Sequence, residues 1–215
     1  MPTSTGDELT REYDQEVAAR DGKGASPEAF EATLLAAQQG SGWAFTAIWV
    51  EYAPAVAAFL RARGSREHDD LTSEVFLAVF DRIGAFRGGQ AEFRSFVFSI
   101  AYRRLVDELR MRARRGTHEE WRADSDPRQS PSAEDDATTS IGEAEALRLL
   151  DILPPDQRDV MVLRVIADLT IEQIAHVLGK REGAVKALQR RALENLRKKI
   201  SPSRTPTTAS RDSGS

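Results

Sequence analysis

Not one cysteine occurs in the 215-residue chain, which excludes disulfides and thiolate metal sites and fits a reducing compartment. Histidine is scarce as well. His68, His118 and His176 are scattered, with no HExxH spacing, so neither a metal site nor a catalytic residue is assigned. No cofactor is expected either: the glycine pair Gly88-Gly89 is not followed by Gly-Lys-Ser/Thr. The start, MPTSTGDELTREYDQE, lacks a basic stretch leading into an apolar core and does not read as a signal peptide. Apolar runs fall short of the ~20 residues that cross a bilayer, so no membrane insertion is expected. Alternating apolar and polar residues are missing too. Valine and isoleucine recur instead at helical spacing, which predicts an all-α fold.

What the chain does have is 40% hydrophobic and 30% charged residues, enough for two small helical domains of roughly 70–90 residues each. The net charge of −4 would oppose binding to a polyanion, but the distribution of charge decides that question.

The most informative stretch is LPPDQRDVMVLRVIADLTIEQIAHVLGKREGAVKALQRRALENLRKKI, from Leu153 to Ile200. Its proline pair suits a first helical turn, with Asp156 complementing the helix dipole, and a helix should run from there through Ile166. Thr170 predicts an N-cap, and Ile171, Ile174, Ala175 and Leu178 form one stripe that Gly179 closes. A third helix over 182–200 sets Val185, Leu188, Ala192, Leu196 and Ile200 inward. Its other face and approach carry Lys180, Arg181, Lys186, Arg190, Arg191, Arg197, Lys198 and Lys199 against only Glu182 and Glu194. A short helix, a glycine turn and a longer basic helix make a helix-turn-helix, the arrangement that enters a DNA major groove.

Upstream, Ser26-Pro27-Glu28 starts a helix with Phe30, Leu34 and Leu35. After Gly40-Ser41-Gly42 a second helix carries Trp43, Phe45, Ile48, Trp49, Tyr52, Val56, Phe59 and Leu60 as core, with Pro54 expected to kink or divide it. A third, from Asp69 to Phe80, begins with acids and has Leu71, Val75 and Val79 on one stripe. A glycine loop, Phe86 to Glu92, precedes FRSFVFSIAYRRLVDELRMRARR, in which Phe93, Phe96, Val97, Ile100, Ala101, Leu105 and Leu109 make the buried stripe. Arg94, Phe98 and Tyr102 form a second line at i, i+4 and i+8. They either stack on unpaired bases or pack on a neighbouring helix. Arg103, Arg104 and Arg110 make the far end cationic, as phosphates require.

Composition divides the chain into an acidic extension over 1–25, a helical domain over 26–115, and a linker rich in Asp, Ser and Pro over 116–142. The helix-turn-helix domain over 143–200 and a polar tail over 201–215 follow.

As a set these segments resemble the extracytoplasmic-function (ECF) group of RNA polymerase sigma factors, over roughly 28–200 without the linker. GWAF at 42–45 with YAPAVAAFLRAR at 52–63 resembles the start of sigma region 2, and DDLTSEVFLAVF resembles its polymerase-docking helix. The resemblance implies core-polymerase contact by Asp69, Asp70, Leu71, Glu74 and Phe76. FRSFVFSIAYRRLVDELR and the loop before it resemble the −10 melting segment, which implies Phe86, Arg87, Arg94, Phe98, Tyr102, Arg103, Arg104 and Arg110 as DNA contacts. LPPDQRDVMVLRV, LTIEQIAHVLG and GAVKALQRRAL resemble region 4, implying that Arg181, Lys186, Ala187, Arg190 and Arg191 read the −35 element. The implied protein is not an enzyme. It is a cytoplasmic initiation factor whose partners are core RNA polymerase, promoter DNA and an anti-sigma factor. The rival reading, a stand-alone helix-turn-helix regulator, would need a dimer interface or an effector pocket.

Overall fold

The computed structural model describes residues 26–119 and 148–200, so the acidic extension, most of the linker and the polar tail lie outside it. Helix is the only regular structure among the described residues.

Helix α1, Pro27–Gln38, starts where Ser26 Oγ accepts from Ala29 N–H and Pro27 takes the first turn. Helix α2, Gly42–Ala62, runs undivided through Pro54. Pro54 lies on the exposed side together with Val50, whose carbonyl it leaves unbonded, so water can serve that oxygen. At 21 residues, α2 is long and apolar enough by composition to cross a membrane, contrary to the reading that no run comes close. Its apolar residues have another use: Ile48, Tyr52, Val56, Phe59 and Leu60 fill the first domain's core. Trp43 and Trp49 depart from the expected core set, at 51% and 38% exposed.

Helix α3, His68–Ile83, buries Leu71, Val75, Phe76 and Val79 against α2 and α4. Helix α4, Gln90–Glu119, continues four residues into the stretch whose composition reads as linker. Phe93, Val97, Ile100, Ala101 and Leu105 are buried as the periodicity predicts, with Phe96 and Leu109 half-buried.

In the second domain, α5 is Pro155–Val165, α6 Ile171–Leu178 and α7 Glu182–Ile200. Thr170 and Gln173 form a reciprocal capping box at the start of α6, and Gly179 ends it at φ 62°. Val185 and Ala192 of α7 are fully buried, and Asn195 donates to Gln157 across to α5 at 2.9 Å.

The two domains are in contact. Helix α6 packs on α4, and α5 on α2, so that their buried side chains form one continuous cluster.

Candidate DNA and polymerase interfaces

On α7 the buried side is fixed by Val185 and Ala192, which turns Lys186, Arg190 and Arg191 to solvent with Ala187 half-buried between them, and Arg181, just before the helix, is exposed as well. Lys186 lies 3.5 Å from Glu182 and Arg190 3.8 Å from Glu194, exposed one-turn pairs that contribute little stability. Their cationic ends are therefore cheaply redirected to another anion.

The loop between α3 and α4 is tightly built. The Gln38 amide donates to Ile83 O at 3.1 Å and to Phe86 O at 3.0 Å. Arg87 Nη1 donates to Gly84 O and Phe86 O. Gly88 sits at φ 144°, and a Cβ there would come within 2.9 Å of Glu92 Cβ, so only glycine fits. Glu92 Oε2 accepts from Gly89 N–H at 3.0 Å, serving a free donor at the start of α4. The Phe86 ring packs on Phe93 and Phe96, with centroids 5.2 and 5.3 Å away.

The line Arg94, Phe98, Tyr102 faces protein. Arg94 stacks over the Tyr52 ring at 5.4 Å, Phe98 is fully buried edge-on to Phe59 at 5.6 Å, and the Tyr102 hydroxyl donates to Asp159 Oδ2 at 3.4 Å. The neighbouring-helix alternative describes them. Phe98 in particular offers no ring face to a base. The signal that misled is periodic: α4 is covered by α1–α3 on one side and α6 on another, so its buried arc is wider than one stripe. Arg103 is exposed, Arg104 lies 3.8 Å from Glu74, and Arg110 lies 3.8 Å from Asp107.

Along α3, Asp69, Asp70 and Glu74 are exposed. Leu71 and Phe76 are not: Phe76 is 1% exposed and packs on Trp49 and Phe80, so both belong to the core rather than to a docking face. The exposed apolar residues nearby are Trp49, Val50 and Leu77. A groove of about 540 Å³ runs between α2 and α3, lined by Trp49, Val50, Ala53, Pro54, Thr72 and Ser73. Sequence reasoning missed Trp49 because every aromatic of α2 was assigned inward.

Where the domains meet, Arg63 Nε and Asp159 Oδ1 form an ion pair with side chains 10% and 6% exposed. Burial pushes the Asp159 carboxyl above the usual carboxylate range, with Arg63 and Tyr102 pulling it back. Burial, with the Asp159 charge adding to it, pushes the Tyr102 phenol up to about 12. Gln173 Nε2 donates to Ala91 O at 3.0 Å from one domain to the other.

Comparison with known proteins decides what this arrangement is. The Sigma-70 region 2 model matches residues 48–115, and the Sigma-70 region 4 model matches residues 149–198. SigD of Mycobacterium tuberculosis, named an ECF RNA polymerase sigma factor, is 32% identical over 185 residues, covering 80% of this chain and 84% of its own. The chain belongs to the ECF RNA polymerase sigma factors. BldN of Streptomyces coelicolor, named likewise, is 33% identical over 165 residues, covering 74% of this chain and 61% of that one. Among solved structures, CnrH in complex with the cytosolic domain of CnrY aligns at TM-score 0.57 and 22% identity, over 80% of this chain and 96% of that one. RpoE with the anti-sigma factor NepR from Bartonella quintana aligns at 0.58 and 21%, over 74% and 98%. At those identities the structures speak for the fold alone.

A sigma factor makes and breaks no bond. It binds core RNA polymerase and directs initiation by recognising the −10 and −35 promoter elements, and the all-α, two-domain architecture is that of regions 2 and 4. The stand-alone regulator is thereby set aside.

Proposed function

We propose that three surfaces divide this work, in the cytoplasm. Asp69, Asp70 and Glu74, bordered by Trp49, Val50 and Leu77, dock on core polymerase. Acids rimming exposed apolar side chains suit a basic, partly apolar surface on a larger protein. The loop over 84–89, with Phe86, Arg87, Phe96, Arg103, Arg104 and Arg110, holds the opened −10 strand. Cations there serve phosphates, and half-buried aromatic rings give unstacked bases a place to lie. Arg181, Lys186, Ala187, Arg190 and Arg191 read the −35 major groove from α7, where a good bidentate base contact is worth about 1–3 kcal/mol.

The observation that carries this reading is the outward cationic face of α7 behind a correctly capped α6. Since a relative of the same fold is held by the anti-sigma factor NepR, an anti-sigma partner is extended to this chain as well. In vitro transcription with purified core enzyme, with start sites mapped genome-wide, tests the whole. Redirected initiation at a distinct promoter set is expected, and a chain that neither binds core nor redirects it would sink the reading.

A further inference from the structure

We propose that the region 4 domain is an intramolecular brake: Asp159 clamps it onto Arg63 and Tyr102 of region 2, and promoter binding requires that clamp to open.

Asp159 is 4% exposed, and both its polar partners belong to the other domain. Set apart, the two domains would leave this carboxylate on an open surface. Its burial is thus a property of the closed arrangement and not of either fold alone. A second fastener lies across the seam. The capping box of α6 uses Gln173 Oε1 to accept from Thr170 N–H, which aims the other end of the same amide at Ala91 O.

The closed form cannot serve a promoter. A compact body of some 150 residues is roughly 40 Å across. The −10 and −35 elements lie more than two duplex turns apart, roughly 80 Å at ~34 Å per turn. In the closed form α6 also stands over the loop face. A cleft of about 660 Å³ has Phe86, Phe96 and Arg103 on one wall and Thr170, Gln173 and His176 on the other. This point rests on the −10 reading of that loop, whereas the distance argument does not.

A buried ion pair suits a brake better than an apolar seam would. The cost of drying two charges nearly cancels their attraction, so the intact clamp opens readily; removing one partner strands the other and disfavours closure strongly.

The absence of native cysteine makes the test clean. Cysteines introduced by Ala91→Cys and Gln173→Cys, joined by a short bismaleimide, hold the full-length chain closed. The joined chain should lose run-off transcription at least tenfold relative to the same variant left unjoined, which lacks the Gln173 fastener and should transcribe at least as well as the parent. Equal transcription by the joined chain overturns the proposal; failure of the unjoined parent chain would instead count against sigma function. In the second arm, Asp159→Ala should raise the affinity of the free full-length chain for promoter duplex at least tenfold. Should that variant fold poorly, Arg63→Met with Asp159→Leu replaces the pair by apolar contact and should hold the brake at parental strength or tighter. Parental affinity in Asp159→Ala with an unchanged Tm, or release by the apolar pair, overturns the charge clamp.

Discussion

The side-chain amide of Gln38 holds the backbone of Phe86, from a helix 48 residues upstream, through the 3.0 Å bond to Phe86 O. Its second N–H reaches Ile83 O, a carbonyl that also accepts from Phe86 N–H in the turn after α3. One side chain therefore ties α1 to the turn by which the loop leaves α3.

Gln38→Leu keeps the size and removes both donors. Phe86 O keeps Arg87 Nη1 and Ile83 O keeps Phe86 N–H, so the expected cost is that of the bonds lost, about 0.5–1.5 kcal/mol each. Permanganate reactivity of the −10 strand should fall, with core binding retained. Unchanged opening would show that the loop's position does not matter to melting.

Gly88→Ala should be more severe than its size suggests, because the substituted Cβ meets Glu92 Cβ at 2.9 Å at a φ of 144°. A loss of roughly 1–3 kcal/mol is expected in denaturant titration. Stability equal to the parent would show that the loop readily adopts another shape.

Arg190→Ala should weaken −35 binding by about 1–3 kcal/mol and lower transcription from a cognate promoter, with core binding unchanged. An equal loss in a core pull-down would move Arg190 from DNA to polymerase.

Asp70→Lys with Glu74→Lys reverses the charge of the exposed edge of α3 and should abolish co-purification with core enzyme at unchanged Tm. Phe76→Ala separates surface from core. Its ring is buried against Trp49 and Phe80, so it should cost about 3–5 kcal/mol of stability. Loss of docking without loss of stability would return Phe76 to the interface.

A pH dependence follows from Asp159. Its carboxyl is raised in the closed chain because burial outweighs the pull of Arg63, so closure takes up a proton and is favoured as pH falls from neutrality toward the ordinary carboxylate range; unlike an alanine, the protonated acid still offers oxygens to Arg63 and Tyr102. Tyr102, at about 12, stays neutral across that range. The difference in closed fraction between the parent and Asp159→Asn, followed by energy transfer between the domains, isolates this group. A difference independent of pH would refute the assignment.

Much of the fold could be read from local pattern. The Thr170 cap, the Gly179 stop and the inward Val185 and Ala192 of α7, with Leu188 and Leu196 half-buried beside them, sit where spacing puts them, because caps and amphipathic faces depend on neighbours within four residues. The candidate sites were only partly legible. Leu71, Phe76 and Phe98 went inward and Trp49 outward, since a helix touched by several others has no single buried stripe.

The sequence by itself determined seven helices among the described residues, several of their ends, and the family to which the chain belongs. Only the tertiary structure decided that Arg63, Tyr102 and Asp159 meet, as partners 57 and 96 positions from the acid have no shared period to betray them. A lone aspartate within DVMVL reads as a surface residue until a guanidinium from another domain makes its burial tolerable.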